Sequence, residues 1–223
     1  MPMIQNIQAI APIAAAVILA LFALPSYIAL IKESGFARAA SAILAISVFI
    51  LGFEALLIKV GLPYGKFTIS DVLGYKIFGL APYTLALAYP PLVLAAYWLA
   101  SNVKNRLGQI VLIAVFLQVA HLVLDPATTK MRVWNWEAPG PFYGVPIASF
   151  VAWLVAGLFA GWLISSILNS DDVKRAAAYS GFTILWFWAG VNLGLQQWIP
   201  GAIGIVASLL MLIFMRREKR QTN

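Results

Sequence analysis

Apolar residues in this chain are concentrated in seven segments, each long enough to cross a lipid bilayer as a helix. The segments cover roughly residues 11–31, 38–58, 79–100, 108–124, 145–168, 176–193 and 199–215. A membrane-spanning helix needs about 20 mainly apolar residues. The pattern therefore predicts an all-α fold, a polytopic transmembrane helical bundle of about seven spans, in one integral membrane domain covering residues 1–223.

The connections between these segments differ in charge on the two sides of the predicted bundle. Ten of the 15 Lys and Arg residues lie in or beside the short connections and the tail 216–223, and the other five lie in or beside the long connections 59–78 and 125–144. Lys and Arg favour the cytoplasmic side of a membrane. We therefore expect a multi-pass protein of the cell membrane with an outer N-terminus, two long outer loops and a basic cytoplasmic tail. The first segment has no Lys or Arg before it, which favours a retained span over a signal peptide.

The composition of the chain excludes several classes of partner and catalytic site. The chain is 62% hydrophobic and 10% charged, against about 25% charged in soluble domains. Its net charge of +7 resides in the basic connections and tail, so we expect the lipid bilayer as partner and no nucleic acid. The chain has no Cys and a single His, which excludes thiol catalysis and histidine-cluster iron sites. It also lacks a phosphate-binding loop and Asp-rich magnesium motifs, and we expect no metal and no cofactor.

Glu54 is an ionisable residue inside the second predicted span. Such groups are costly within a membrane, so each one is a functional hypothesis. The alternative is a structural carboxyl group bonded to a neighbouring helix. Lys59, five residues later, can extend its charged end to the interface.

The fourth predicted span ends in "FLQVAHLVLDP" and carries three polar residues. Gln118, His121 and Asp125 are spaced i, i+3 and i+7 and therefore share one helical face. Pro126 is expected to end the helix, which places Asp125 at the outer rim and His121 one turn deeper. The three converge as a candidate site, although His121 can also be a core residue and Asp125 a helix-end cap.

The next connection, "RVWNWEAPGPFYGVP", is rich in aromatic side chains. It contains Trp134, Trp136, Phe142 and Tyr143, with Glu137 among them. These residues either belong to an interfacial aromatic belt or form an ordered lid or pocket wall. Later tryptophans, which either pack or line a slot for a long, flat, apolar ligand, are Trp153, Trp162, Trp186, Trp188 and Trp198.

Two stretches, covering about 70 residues together, resemble the membrane carotenoid hydratases of the CruF type. The first is "FEALLIKVGLPYGKFTISDVLGYKIFGLAPYTLALAYPP", and the second is "HLVLDPATTKMRVWNWEAPGPFYGVPIASFVAW". The matching residues of the first are Glu54, Gly61, Pro63, Tyr64, Gly65, Phe67, Leu73, Gly74 and Pro82. Those of the second are Asp125, Pro126, Trp134, Trp136, Gly140, Phe142, Tyr143, Gly144, Pro146 and Trp153.

The chain departs from the family pattern at three positions. The pattern has Asp where this chain has His121, Asn where it has Ser149, and Gly where it has Ala152. If the Asp belongs to the acid pair, His121 must replace it or the reaction differs.

The resemblance implies an enzyme that adds water to the terminal isopropylidene double bond of a long-chain carotenoid. Glu54 or Asp125 would protonate the alkene, and His121 or the other carboxylate would deprotonate the water. Aromatic faces would stabilise the tertiary carbocation. Other carotenoid enzymes are the implied protein partners. The alternatives are a non-enzymatic carotenoid or lipid binder, a small transporter, or a related isomerase or cyclase. The implied substrate-binding residues are Trp134, Trp136, Glu137, Phe142, Tyr143, Trp153, Gln118 and Tyr64.

Overall fold

The computed structural model describes residues 2–63, 65–169, 172–173 and 175–221, with side chains from residue 10 to residue 217. Within these residues the chain forms an all-α membrane helical bundle, as predicted. Five of the described helices are long and apolar enough to cross a membrane. The helices are α1 (Pro2–Ser34), α2 (Phe36–Val60), α3 (Leu85–Ala100), α4 (Arg106–Lys130), α5 (Ile147–Ile167), α6 (Ala178–Gly194) and α7 (Trp198–Gln221).

Helix α3 lies at the centre of the bundle. It contacts α1, α2, α4, α5 and α6, and nearly all of its side chains are buried. The outer helices instead expose large apolar side chains, including Ile13 on α1, Leu44 on α2, Val151 on α5 and Leu210 on α7. A helix that is apolar on all sides lies in a protein core or in a membrane. Helix α3 is an example of the first, and the outer helices are examples of the second.

The third helix begins later than predicted. Residues 79–84 were expected to open the span, but a short hairpin of β2 (Lys76–Ile77) and β3 (Ala81–Pro82) occupies this region. Phe78 and Gly79, at its turn, have positive φ angles of 52° and 72°. A helix cannot pass through that backbone conformation, so α3 starts at Leu85.

The fourth helix ends later than predicted. Pro126 does not end α4, which continues to Lys130, so Asp125 is neither at the rim nor a helix-end cap, and residues 125–130 are not part of a loop. A proline inside a membrane helix is tolerated when neighbouring groups satisfy the affected backbone. Here Asn192 Nδ2 donates to Val123 O at 2.7 Å, and Gln197 Nε2 donates to Pro126 O at 3.2 Å.

The two long connections are joined by a small sheet. Strand β1 (Phe67–Ile69) pairs antiparallel with β4 (Trp134–Trp136). We call the described residues of the connections 61–84 and 131–146 the cap. The cap lies where α2 and α4 end and α3 and α5 begin, and its apolar side chains pack on the helix ends.

An ion pair lies at the opposite end of the bundle. Arg38, at the start of α2, contacts both carboxylate oxygens of Asp172, at 3.1 and 3.2 Å. Asp172 also accepts the backbone N–H of Asn169 at 2.8 Å. This end carries most of the basic connections and is distinct from the cap end, near which Glu54, His121 and Asp125 are buried.

Candidate active site

His121 and Asp125 lie one turn apart on α4, facing the same way. His121 Nδ1 is 3.0 Å from Asp125 Oδ2, and their exposed fractions are 1% and 3%. The i, i+4 spacing brings such side chains together on a helix. The ring N–H does not point straight at the carboxylate, so the contact is electrostatic rather than a well-aligned hydrogen bond. The predicted shared face of α4 is therefore present, but it points into the protein.

The first turns of α5 enclose the imidazole of His121. Ser149 Oγ lies 3.0 Å from His121 Nε2. Trp153 stacks on the ring, with centroids 4.6 Å apart and planes 18° apart, and Phe150 approaches it edge-on at 4.9 Å. Of these three neighbours, only Trp153 was predicted as a site residue. Ser149 was noted as a departure from the family pattern, without a role.

Small residues allow α5 to approach α4 closely. A Cβ atom added at Gly157 would lie 2.9 Å from the Cα of Ala114, and one added at Gly161 would lie 3.1 Å from the carbonyl oxygen of Ile110. Glycines four residues apart are a common device for close packing of membrane helices. The close approach sets the distance at which Ser149 and Trp153 meet His121.

Helices α2 and α3 contribute two further polar groups. Glu54 on α2 is 5% exposed and interacts electrostatically with Asp125. Tyr89 on α3 interacts electrostatically with Glu54, and its ring lies 5.5 Å from that of Trp153. The Tyr89 hydroxyl is buried and has no hydrogen-bond partner among the described residues. Tyr89 was missed in the sequence, where its phenol in an otherwise apolar helix was the available signal.

The charge balance of this cluster is unusual for a protein interior. In the described part of the chain, the Lys and Arg ion pairs involve Asp71 and Asp172 rather than Glu54 or Asp125. Two buried carboxylates without a Lys or Arg partner cannot both be ionised cheaply. The cluster of Glu54, Asp125 and His121 is therefore a candidate site for acid–base chemistry.

The cap covers the cluster with aromatic rings. Phe67 and Trp136 face each other across the β1–β4 pair, with ring centroids 5.0 Å apart. Trp136 Nε1 donates to Thr129 Oγ1 at 2.9 Å, which ties the cap to the last turn of α4. Trp134 packs in the same apolar cluster, against the ends of α2, α3 and α5. These aromatic side chains are therefore part of an ordered cap over the helix ends.

The "PFYGVP" segment returns the chain to α5. The rings of Phe142 and Tyr143 lie 5.2 Å apart, and Phe142 lies 5.7 Å from Phe150, which in turn contacts His121. Glycine is required at position 140 because a Cβ atom there would collide with the Val145 carbonyl oxygen. This segment is thus one aromatic layer away from the imidazole.

Two predicted site residues that the structure describes, Glu137 and Gln118, do not join the buried cluster. Glu137 is exposed on the cap, and only its backbone N–H is engaged, with Lys66 O at 3.0 Å. Gln118 lies one turn below His121 on α4, where its Oε1 is buried without a partner among the described residues. Tyr64 lies outside the described residues.

An apolar groove lies elsewhere on the bundle, mainly between α4 and α7. It has a volume of about 660 Å³ and is lined by apolar side chains, including Val115, Val119, Val206 and Leu210. Its surface offers no acid or base, so it can hold an apolar chain but cannot by itself catalyse proton transfer.

Comparison with known proteins assigns the chain to a family. Residues 10–211 match the family described as carotenoid biosynthesis protein. The chain is also similar to the bisanhydrobacterioruberin hydratase of Haloarcula japonica, with 29% identity over 183 residues that cover 77% of this chain and 61% of the relative. The chain thus spans less than two thirds of that relative's length. No solved structure matches. Because the family match covers most of the chain, this protein belongs to the carotenoid biosynthesis protein family, as the two motif stretches predicted.

Proposed function

We propose that this protein is an enzyme that hydrates the terminal isopropylidene double bond of an acyclic carotenoid end group, giving a tertiary alcohol. The observation that carries the proposal is the convergence of Glu54, His121 and Asp125 in a buried, aromatic-lined cluster of a membrane bundle. The family match and the hydratase name of the relative support the same reaction.

The reaction balances without a cofactor. A carboxylic acid transfers its proton to the less substituted alkene carbon, which leaves a tertiary carbocation. A water oxygen then bonds to the cation, and a base removes one proton from the resulting oxonium group. Transfer of this proton from the base back to the acid restores the starting state.

Aromatic side chains would stabilise the cation. A cation over an aromatic face gains about 0.5–2 kcal/mol, with the larger values at desolvated sites. Trp153 is the ring that lies directly against the acid–base cluster. Trp134, Trp136, Phe142 and Tyr143 are proposed to form the outer wall that receives the end of the polyene.

The proposed topology has seven spans in one membrane domain, with the cap outside and the basic tail in the cytoplasm of a cell-membrane protein. The excess of Lys and Arg at the opposite end from the cap supports this orientation. The outer connections are revised to residues 61–84 and 131–146, because α4 extends to Lys130. Other carotenoid enzymes are proposed partners, since one of them would supply the substrate.

The alternative is a membrane protein that binds or transports a carotenoid or lipid without converting it. The apolar groove between α4 and α7 favours this alternative, because its lining can hold a long apolar molecule and contains no acid. A carotenoid isomerase or cyclase is a further alternative, since a terminal cation can lose a proton or be trapped by a neighbouring alkene.

The deciding experiment gives the purified full-length protein, in lipid nanodiscs, an acyclic carotenoid with an isopropylidene end in water enriched in ¹⁸O. Hydration predicts a mass gain of one water that carries the label. A pigment that stays bound at unchanged mass favours the binder, and an isomer or ring product without added water favours the isomerase or cyclase. Either of these results would overturn the proposed hydration.

A further inference from the structure

Ser149, His121 and Asp125 form a line of three polar groups across the α4–α5 contact. Ser149 Oγ is 3.0 Å from His121 Nε2, and His121 Nδ1 is 3.0 Å from Asp125 Oδ2. The three side chains are 0%, 1% and 3% exposed. The ring of His121 therefore lies between Ser149 and Asp125, with Nδ1 close to the carboxylate but not in a well-aligned hydrogen bond.

The hydroxyl of Ser149 fixes the position of the ring proton. Within the described residues, His121 is the one hydrogen-bond partner of that hydroxyl. A buried O–H group without an acceptor is costly, so the hydroxyl donates to Nε2. A neutral imidazole has one N–H, which must then be on Nδ1, facing Asp125.

The surroundings of the ring leave little access for substrate. Trp153 covers one face at 4.6 Å, and Phe150 contacts the ring at 4.9 Å. Ser149 blocks the nitrogen that carries the lone pair. A base must reach the proton that it removes, directly or through one water, and His121 does not meet this requirement.

We propose that His121 is a positioning residue, which Ser149 orients and which holds the carboxylate of Asp125, and that it is not the base that accepts a proton from water. This assignment rests on the proposed hydration. Asp125, beside the Nδ1–H donor, is then the carboxylate that orients and deprotonates water. Glu54 makes no hydrogen bond or ion pair with any described residue, and it is left as the acid that protonates the alkene.

The single histidine of the chain allows a direct test of the ring proton. The full-length protein is labelled with ¹⁵N-histidine, placed in lipid nanodiscs at neutral pH, and examined by nitrogen NMR without substrate. We expect protonated Nδ1 and an unprotonated Nε2. Ser149→Ala should shift the Nε2 signal, whereas Ser165→Ala, on the same helix and away from the ring, should not. An unprotonated Nδ1 would overturn the proposal, and the result does not depend on activity.

Enzyme kinetics provide the second test, because two replacements of His121 separate its roles. His121→Asn keeps an N–H donor near the position of Nδ1, whereas His121→Leu keeps a side chain of similar volume without any donor. A positioning role predicts that the His121→Asn variant retains kcat within about tenfold of the wild type. The His121→Leu variant should have a kcat lower by about a hundredfold or more, as expected when the base is no longer held in place. KM should change little in both variants. Equal losses in the two variants contradict positioning, whereas an inactive wild-type protein contradicts the hydration itself.

Discussion

Phe67 and Trp136 lie opposite each other on β1 and β4, so two connections that are distant in sequence close over the same helix ends. The indole N–H of Trp136 reaches Thr129 on α4. The cap is therefore attached to the helix that carries His121 and Asp125, and loosening it is expected to affect both stability and catalysis.

Weakening this attachment should lower stability in two steps. Thr129→Val removes the acceptor and should cost about 1 kcal/mol. Trp136→Ala also removes the indole ring that packs on Phe67 and should cost about 2–4 kcal/mol. The measurement is the midpoint of thermal unfolding in detergent. Trp198→Ala is the control, because that ring is 65% exposed and should leave the midpoint nearly unchanged. Equal midpoints for all three variants would show that the cap does not stabilise the fold.

Removing either carboxylate should abolish the product while the protein still inserts in the membrane. Glu54→Gln and Asp125→Asn preserve shape but remove the acid or base, with an expected loss of about a hundredfold or more. The readout is mass analysis of carotenoids extracted from cells that also make the substrate. Glu33→Gln, an exposed carboxyl at the end of α1, is the matched control. Unchanged product in both variants would refute the acid–base assignment.

The close approach of α4 and α5 should be sensitive to a single methyl group. Gly157→Ala places a Cβ atom 2.9 Å from the Cα of Ala114 and should destabilise the protein by about 1–3 kcal/mol. It should also lower kcat, because Ser149 and Trp153 move away from His121. Gly190→Ala is the control, since nothing lies within 4 Å of the added atom and Ala favours a helix. A Gly157→Ala protein as stable and active as the control would contradict the role of this contact.

Two departures from the family pattern, His121 and Ser149, are in contact in this structure. Residues in contact often depart from additivity by about 0.5–3 kcal/mol. We expect His121→Asp and Ser149→Asn to impair activity separately and the double variant to recover part of it, since together they restore the family pair. Relative activities of the four proteins give the coupling. Strictly additive losses would show that the two positions act independently.

The sequence was sufficient to predict the order of the apolar helices, because a run of apolar residues needs no knowledge of its neighbours. It placed two boundaries wrongly. The start of α3 depends on a hairpin turn at Phe78 and Gly79. The continuation of α4 past Pro126 is supported by amide groups from α6 and from the α6–α7 connection. Both are tertiary effects that local propensity does not contain.

Only the part of the candidate site that depends on local sequence was predictable. The proximity of His121 and Asp125 follows from spacing on one helix, and the cost of burying Glu54 was evident from its surroundings. The parts played by Ser149 and Tyr89 were not evident, because they depend on how α3 and α5 are rotated about their axes. Helices that are apolar on every side give no sequence signal for that rotation.

The shortness of α3 has a consequence for what the protein recognises. Its 16 residues extend about 24 Å, less than the roughly 30 Å of a hydrocarbon core, and the buried polar cluster lies near its first turn. A rod-shaped molecule could therefore remain in the surrounding lipid and offer only its tip to this cluster. Under the proposed function, such a protein would select a terminus and be indifferent to the length of what lies behind it.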